Sequence, residues 1–245
     1  MALSLRTRLY VTAPLSTGLY VPLRPEQVHY LRNVLRLSPG VELAMFNGRD
    51  GEWLGRISTL TKDDGAVEAV KLLREQACPP DLWLLFAPIK RAGIDLVAEK
   101  ASELGATTIW PVLTRNTDVA RVNVERLQAN AIEAAEQAER LCIPDVKAPT
   151  DLPTVLADWP AGRTLILCAE AGPARPIAEV VLSLPRGPMA ILIGPEGGFS
   201  RAEIELLTSL PFVVPARLGP RILRAETAVF AALSCGQALR GDWTE

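Results

Sequence analysis

The chain has 245 residues, of which 49% are hydrophobic and 22% are charged, and its formal net charge is −2. This composition is typical of a globular protein with a substantial core, and the net charge argues against indiscriminate binding of nucleic acid. No apolar run approaches the roughly 20 residues that span a bilayer, and the first residues lack the apolar core of a secretion signal. We therefore expect a cytoplasmic protein without a membrane segment.

The numbers and positions of cysteine and histidine residues limit which disulfides, metal sites and catalytic triads the chain can form. The four cysteines are widely separated and form no C-x-x-C motif, which favours free thiols in a reducing compartment over disulfides or zinc ligands. His29 is the only histidine, so histidine-rich metal sites are excluded, as is any histidine-dependent catalytic triad that does not use this residue. We expect no metal site.

Residues 1–73 are predicted to form a small β-rich domain with one helix. Within residues 1–40, five lysine or arginine residues stand against one acidic residue, so positive charge concentrates there. Pro25 is favourable at the first position of a helix, which we predict to run to about Leu37. The predicted strands are Arg8–Val11, Leu19–Val21, Val41–Phe46, Trp53–Leu60 and Ala66–Leu73.

The predicted helix has two different faces. One face is an apolar stripe that we expect to be buried, formed by Val28, Leu31 and Leu35. Another face carries three polar side chains at spacing i, i+3 and i+7, namely His29, Arg32 and Arg36. Two interpretations stay open for these three residues, a solvated surface and a contact with RNA.

After a proline-containing linker at residues 74–80, strands and helices alternate. This alternation predicts a mostly parallel sheet with helices on both faces. The predicted strands are Asp81–Ala87, Thr107–Leu113 and Thr164–Ala169. The predicted helices are Gly93–Leu104, Asn123–Leu141 and Pro176–Leu184.

Two glycine-bearing loops then follow two further strands. The apolar run Met189–Ile193 is predicted to be a buried strand that Gly194-Pro195 ends. Gly197 and Gly198 leave main chain that a ligand can approach, because no Cβ stands in the way. Ser200 and Glu203 form a capping box, so a helix is predicted to begin after this loop.

The second loop repeats the arrangement. The run Phe212–Val214 leads to a break at Gly219-Pro220, and a helix is predicted from about Glu226 to Arg240 with Gly241 after its end. Because both loops follow strands of one parallel sheet, we expect them at the same edge, where ligands bind in open α/β sheets.

The loops do not match phosphate-binding patterns. They contain neither Gly-Lys-Ser/Thr nor G-x-G-x-x-G. Glu196 lies in the middle of the first loop and would repel a pyrophosphate. A cationic or neutral cofactor is favoured.

The two loops form a specific pair of motifs, Ile-Gly-Pro-Glu-Gly-Gly-Phe-Ser at 193–200 and Leu-Gly-Pro-Arg-Ile-Leu-Arg-Ala-Glu-Thr-Ala at 218–228. At this spacing the pair resembles the signature of the 16S ribosomal RNA uracil-N3 methyltransferases of the SPOUT superfamily. Weaker matches extend the resemblance over nearly the whole chain. Two positions depart from the family pattern, because Glu99 replaces a glutamine and Arg115-Asn116-Thr117 replaces Arg-Ser.

The resemblance implies an α/β protein with an N-terminal PUA-like β-barrel and a C-terminal SPOUT α/β domain that contains a trefoil knot. It implies a PUA-like RNA-binding domain at residues 1–73, a linker at 74–80 and a methyltransferase domain at 81–245. The implied reaction methylates N3 of a specific uridine in 16S ribosomal RNA with S-adenosyl-L-methionine. The implied partners are that RNA, within the assembled small ribosomal subunit, and a second copy of the chain.

Uracil N3 carries a proton at neutral pH, so a cation beside the uracil oxygens would stabilise the anion as it forms. Arg224 is the candidate for this role. Glu226 is a candidate general base if burial raises its pKa, or else a carboxylate favoured by the helix dipole. The predicted cofactor-binding residues are Ala169, Glu170, Ile193, Gly194, Glu196, Gly197, Gly198, Leu218, Gly219, Leu223 and Thr227. The predicted RNA-binding residues are Arg8, His29, Arg32, Arg36, Lys90 and Arg221.

Two other functions stay open. A non-catalytic RNA-binding protein would use only the N-terminal barrel, and the intact pair of loops counts against it. A nucleotide-dependent enzyme with an α/β core is disfavoured, because no phosphate-loop lysine is present.

Overall fold

A computed structural model describes residues 5–77, 79–118, 121–169 and 174–244 of the chain. The chain divides into two units, Met1–Cys78 with Ala135–Cys142, and Pro79–Ala134 with Ile143–Glu245. The domain boundaries inferred from the sequence, at residues 73 and 81, stay a prediction. Among the described residues, no helix is long and apolar enough to cross a membrane.

The first unit contains a five-stranded sheet. Its strands are β1 (Arg8–Tyr10), β2 (Tyr20–Pro22), β3 (Glu42–Phe46), β4 (Glu52–Leu60) and β5 (Gly65–Arg74). They lie in the order β1-β3-β4-β5-β2, with β1 parallel to β3 and the other pairs antiparallel. The pairing of β4 with β5 shifts register at three points. Such irregularities bend strands and increase their twist, which curls the sheet around its apolar core.

The helix of the first unit differs from the prediction. The helix α1 begins at Pro25 as predicted, spans Pro25–His29 and continues as a π-helical turn at Tyr30–Val34, so only the predicted end at about Leu37 is wrong. The Leu35 N–H donates to the Tyr30 oxygen five residues earlier, and Arg36 has a φ of 55°. An α-helix would need bonds four residues back and a negative φ.

The second unit is built on a parallel sheet. Its strands are β6 (Leu82–Phe86), β7 (Thr108–Leu113), β8 (Asp145–Val146), β9 (Thr150–Asp151), β10 (Thr164–Cys168), β11 (Arg175–Pro176), β12 (Met189–Ile193) and β13 (Val213–Arg217). The order is β11-β13-β10-β12-β6-β7-β8, and β9 pairs with the end of β7. All of these pairs are parallel, as the alternation of strands and helices predicts.

Helices cover both faces of this sheet. They are α2 (Arg91–Glu103), α3 (Val124–Gln137), α4 (Leu152–Ala157), α5 (Ile177–Ser183), α6 (Arg201–Ser209) and α7 (Ala225–Arg240). Alternate strand residues such as Leu84 and Ile191 belong to a core shared with α2, α5 and α7. Their neighbours Leu85 and Leu192 belong to a core shared with α4 and α6. Both faces are therefore dry, which explains why these strands are continuous apolar runs.

The end of α3 belongs to the first unit. This helix ends at Gln137, short of the predicted Leu141, and Glu139 has a φ of 54°. Arg8 donates hydrogen bonds of 3.0 Å to the main-chain oxygens of Ala135, Glu136 and Arg140. Carbonyls at a helix end lack partners within the helix, so Arg8 caps this end.

Arg8 is itself held by an ion-pair cluster of Arg8, Glu52 and Arg74. The Glu52 carboxylate accepts from the Nε atoms of both arginines at 2.6 Å. The side chains of Arg8 and Glu52 are about nine-tenths buried, at 10% and 9% exposure. Glu52 therefore neutralises the buried charge of Arg8, while its own charge is neutralised by Arg8 and Arg74 together.

Candidate active site at the carboxyl edge of the parallel sheet

A cavity of about 350 Å³ opens at the carboxyl ends of β10, β12 and β13. In the sheet, β10 lies between β12 and β13. The two glycine-bearing loops therefore flank the end of β10, and the three segments wall one cavity. The lining includes these residues predicted from the sequence: Ala169, Ile193, Gly194, Glu196, Gly198, Leu218, Gly219, Arg221, Leu223 and Arg224.

The first loop needs glycine for two different reasons. A Cβ on Gly194 would lie 2.8 Å from the ring of Phe199, so this position has no room for a side chain. Gly198 has a φ of 66°, which disfavours other residues, and open space within 4 Å of its Cβ position. Gly198 therefore leaves an open approach to bare main chain inside the cavity.

A neighbouring loop holds the first loop from outside. The Asn116 side-chain amide donates to the oxygens of Gly197 and Gly198 at 3.1 and 3.0 Å. The Arg115 N–H donates to one carboxylate oxygen of Glu203 at 2.7 Å, and the other oxygen accepts from Ser200. This arrangement confirms the predicted capping box and extends it to the loop after β7. The departure from the family pattern at Asn116 thus lies against the first glycine-bearing loop.

The second loop presents arginine side chains. Arg217, Arg221 and Arg224 line the cavity and are exposed. Their guanidinium groups form no hydrogen bond or ion pair within the described residues. Among the described residues of the lining, Glu196 is the acidic one. Arg217 ends β13 and was missed at the sequence level, because a charge after a short apolar run has no distinguishing pattern.

A thiol also lines the cavity. Burial raises the pKa of Cys168 to about 12, and the nearby Cys235 contributes to this rise. The Cys168 thiol therefore stays protonated at neutral pH and is a poor nucleophile. Cys168 and Cys235 are free thiols, as the sequence predicts. Cys78 lies outside the described residues.

Several predicted site residues lie elsewhere. Among the described residues, the cavity lining omits Gly197, Glu226 and Thr227. Glu226 lies in the first turn of α7, half-buried, where the helix dipole favours a carboxylate. Lys90 is exposed and immediately precedes α2. Glu170 lies outside the described residues. The roles assigned to these four residues and Lys90 stay predictions.

The RNA contacts predicted in the first unit fall into two groups. His29, Arg32 and Arg36 are exposed, as a surface for RNA requires. Arg8 is buried, and its guanidinium donates to Glu52 and to three main-chain oxygens. This geometry favours a structural role for Arg8 over contact with RNA.

Comparisons with known proteins agree along the chain. A family model of the RNA methyltransferase domain matches residues 76–237, and one of the RNA methyltransferase PUA domain matches residues 23–69. Ribosomal RNA small subunit methyltransferase E of Rickettsia conorii is 35% identical over 230 residues, which covers 93% of each protein. The protein of the same name from Synechocystis sp. is 34% identical over 224 residues, covering 89% of this chain and 73% of the relative.

Solved structures give the same result. Ribosomal RNA small subunit methyltransferase E from Neisseria gonorrhoeae, bound to S-adenosyl methionine, has a TM-score of 0.88 at 28% identity and covers 97% of this chain and 99% of that one. A Legionella pneumophila structure in complex with the bound cofactor SAM has a TM-score of 0.86 at 31% identity, covering 97% and 100%. The matched RNA methyltransferase domain contains both loops that wall the cavity. The chain therefore belongs to the RNA methyltransferase family of ribosomal RNA small subunit methyltransferase E.

Proposed function

We propose that this chain transfers a methyl group from S-adenosyl-L-methionine to N3 of a specific uridine in 16S ribosomal RNA. The observation that carries the proposal is the cavity lined by both glycine-bearing loops, the second of which also presents arginine side chains. Relatives of the same family have been solved with this cofactor bound. When bound, S-adenosyl-L-methionine supplies the methyl group.

The cavity fits such a cofactor. Its volume lies within the range of roughly 300–1,000 Å³ that small-molecule sites occupy. Ile193, Leu218 and Leu223 offer apolar walls, and Gly198 offers main chain without a side chain. The exposed carboxylate of Glu196 suits a cation such as a sulfonium. We assign these residues to cofactor binding.

Arg224 is the residue that we assign to the uracil. It lies at the N-terminus of α7, lines the cavity, and keeps its guanidinium exposed. A planar fork of donors can bind a uracil oxygen and stabilise the negative charge that develops as N3 loses its proton. Glu226 stays the candidate base, although its place outside the lining supports the helix-dipole role equally well.

The remaining assignments concern RNA and assembly. We propose that the curled sheet of the first unit closes as a PUA-like barrel and that His29, Arg32 and Arg36 contact RNA. We also propose a trefoil knot in the second unit, a homodimer, and the assembled small subunit in the cytoplasm as substrate. The match to the PUA family model supports the barrel and its contact with RNA, and the name of the relatives supports the small subunit as substrate. The knot and the homodimer rest on the family resemblance of the sequence.

The function is tested by supplying small ribosomal subunits that lack the modification. The expected result is methyl incorporation into 16S ribosomal RNA with a reverse-transcription stop at one uridine, because a methyl at N3 blocks base pairing. S-adenosylhomocysteine should raise the melting temperature whereas ATP should not. Stabilisation by ATP alone, without methyl incorporation, would indicate the nucleotide-dependent enzyme. RNA binding with no effect of either ligand would indicate the non-catalytic protein.

Arg224→Lys is expected to lower the single-turnover rate roughly tenfold to hundredfold, because lysine keeps the charge but loses the planar fork. The melting shift given by S-adenosylhomocysteine and the RNA affinity should stay near parental values. Arg201→Lys is the matched control, since Arg201 is exposed on α6 and pairs with Glu205. A parental rate for Arg224→Lys would contradict the assignment, and loss of the melting shift would place Arg224 on the cofactor instead.

Arg32→Ala combined with Arg36→Ala is expected to weaken RNA binding and flatten its salt dependence. Each phosphate contact that is lost removes about one from the slope of log affinity against log salt concentration. The control is Arg56→Ala with Lys62→Ala, which removes the same charge from other exposed positions of the first unit. An equal slope in both double variants would show that these arginines form only a solvated face.

A further inference from the structure

An isoleucine stands in the open at the cavity mouth. Ile222 is 84% exposed, the largest exposure among the large hydrophobic residues described. It lines the cavity together with its neighbours Arg221 and Leu223. Singly exposed apolar residues are common on protein surfaces, but this one lies inside the proposed site, between two candidate substrate-binding arginines. We therefore expect that a bound molecule covers Ile222 during function.

The loop that carries Ile222 is constrained at both ends. Gly219 has a φ of 97°, and Pro220 fixes its own φ. At the other end, Arg224 is the N-cap residue of α7, and its main-chain oxygen accepts a hydrogen bond of 2.8 Å from the Ala228 N–H. The loop thus holds Ile222 outward, although folding back would bury an apolar side chain.

The surroundings of Ile222 determine the kind of partner. Arg217, Arg221 and Arg224 are exposed around the cavity, and Glu196 is the acidic residue in the part of the lining that the structure describes. These arginine side chains form no ion pair within the described residues. A cationic rim of this kind suits a polyanion, and an apolar contact between the charges suits the face of a base.

Methylation at N3 also requires a protein contact with the bases around the target uridine. This nitrogen lies on the pairing edge of uracil, so the base must leave its pair or stack before it can enter a cavity. Proteins that open nucleic acid stacks insert aliphatic side chains between bases. We propose that Ile222 packs against the bases next to the target uridine in the substrate RNA. Its side chain would fill the gap that this uridine leaves in the base stack. The proposal rests on the proposed function and adds a residue that determines whether the uridine becomes accessible.

The experiment measures single-turnover methylation of small ribosomal subunits that lack the modification. Ile222→Ala should lower the rate about tenfold or more, because it removes most of the apolar surface that we expect to be buried against the bases. Ile222→Leu should restore most of the rate, because it returns the apolar volume. Leu182→Ala is the control, since Leu182 is 60% exposed on α5 and lies outside the cavity lining. Two further quantities are measured for each variant. They are the rise in melting temperature with S-adenosylhomocysteine and the molecular mass of the protein in solution by sedimentation equilibrium, which reports its oligomeric state.

The outcomes separate the explanations. Slow transfer by Ile222→Ala, with the melting shift and the sedimentation mass unchanged and the rate restored in Ile222→Leu, supports the proposal. A parental rate for Ile222→Ala overturns it. A lower sedimentation mass would mean that a second copy of the chain covers Ile222, and a lost melting shift would mean that Ile222 serves the cofactor; either result overturns it. If the unaltered protein transfers no methyl group to uridine, the proposed function fails and this inference falls with it.

Discussion

Gly198→Val is expected to abolish the rise in melting temperature that S-adenosylhomocysteine gives the unaltered protein. A ligand that binds only the folded state, at a free concentration of a hundred times its Kd, raises the free energy of unfolding by about 2.7 kcal/mol. The variant should lose this whole effect. Gly198 lines the cavity and has open space where a side chain would project. A valine there would fill the approach to the main chain. Methyl transfer should be lost with it.

Backbone strain needs a separate control, because Gly198 has a φ of 66°. Gly162 has a φ of 80°, also with open space around its Cβ position, and lies outside the cavity lining. Gly162→Val should therefore lower the melting temperature by strain but keep the full shift with S-adenosylhomocysteine. An undiminished shift in Gly198→Val would exclude this part of the loop from the site.

Glu52→Ala is expected to destabilise the first unit by about 3–5 kcal/mol, because it removes the carboxylate that pairs with the buried guanidinium of Arg8. Urea denaturation at neutral pH measures this loss. The matched control is Glu42→Ala, which breaks the exposed pair of Glu42 with Arg56 and should lose at most about 1 kcal/mol. Equal losses in the two variants would contradict the structural role of the ion-pair cluster.

The same cluster predicts a dependence on pH. Burial acts to raise the pKa of Glu52, but hydrogen bonds from Arg74 and Arg8, together with their charges, hold it below its ordinary value of 4.5. A carboxylate with a lowered pKa in the folded state stabilises the protein above the pKa of the unfolded state, and this contribution disappears as the pH falls through the folded-state pKa. The difference in stability between the unaltered protein and Glu52→Gln should therefore shrink on acidification. A constant difference from neutral to acidic pH would mean that the Glu52 charge does not act through this cluster.

Local signals in the sequence were sufficient for the elements that carry the cavity. The run Met189–Ile193, the capping box at Ser200 and the glycine after Arg240 each depend on neighbours within a few residues, and the structure confirms all three. The glycine-bearing loops could be placed at one sheet edge because parallel strands end there together. The lining of the cavity by most of the predicted residues follows from this placement.

Long-range contacts explain what the sequence left unresolved. Nothing near Arg8 in the sequence indicates that it caps a helix end more than 120 residues away, as its bonds to Ala135 and Arg140 do. The insertion of β10 between β12 and β13 likewise depends on the whole sheet. The end of the helix that begins at Pro25 was predicted wrongly for a different reason, because the α-helix changes into a π-helical turn without any glycine or proline to mark the change. Strands of two residues, such as β8 and β11, are too short to show a period.

The position of β10 has a consequence for the growing chain on the ribosome. Both neighbours of β10 in the sheet, β12 and β13, are synthesised after it. At a synthesis rate of about 5–20 residues per second, the apolar residues of β10 wait roughly one to five seconds before β12 is complete. During that time an unpaired apolar strand is open to aggregation and to chaperones. The walls of the cavity are therefore among the last parts to assemble, and a nascent chain stopped before Ala225 contains most of the protein but lacks part of the cavity lining.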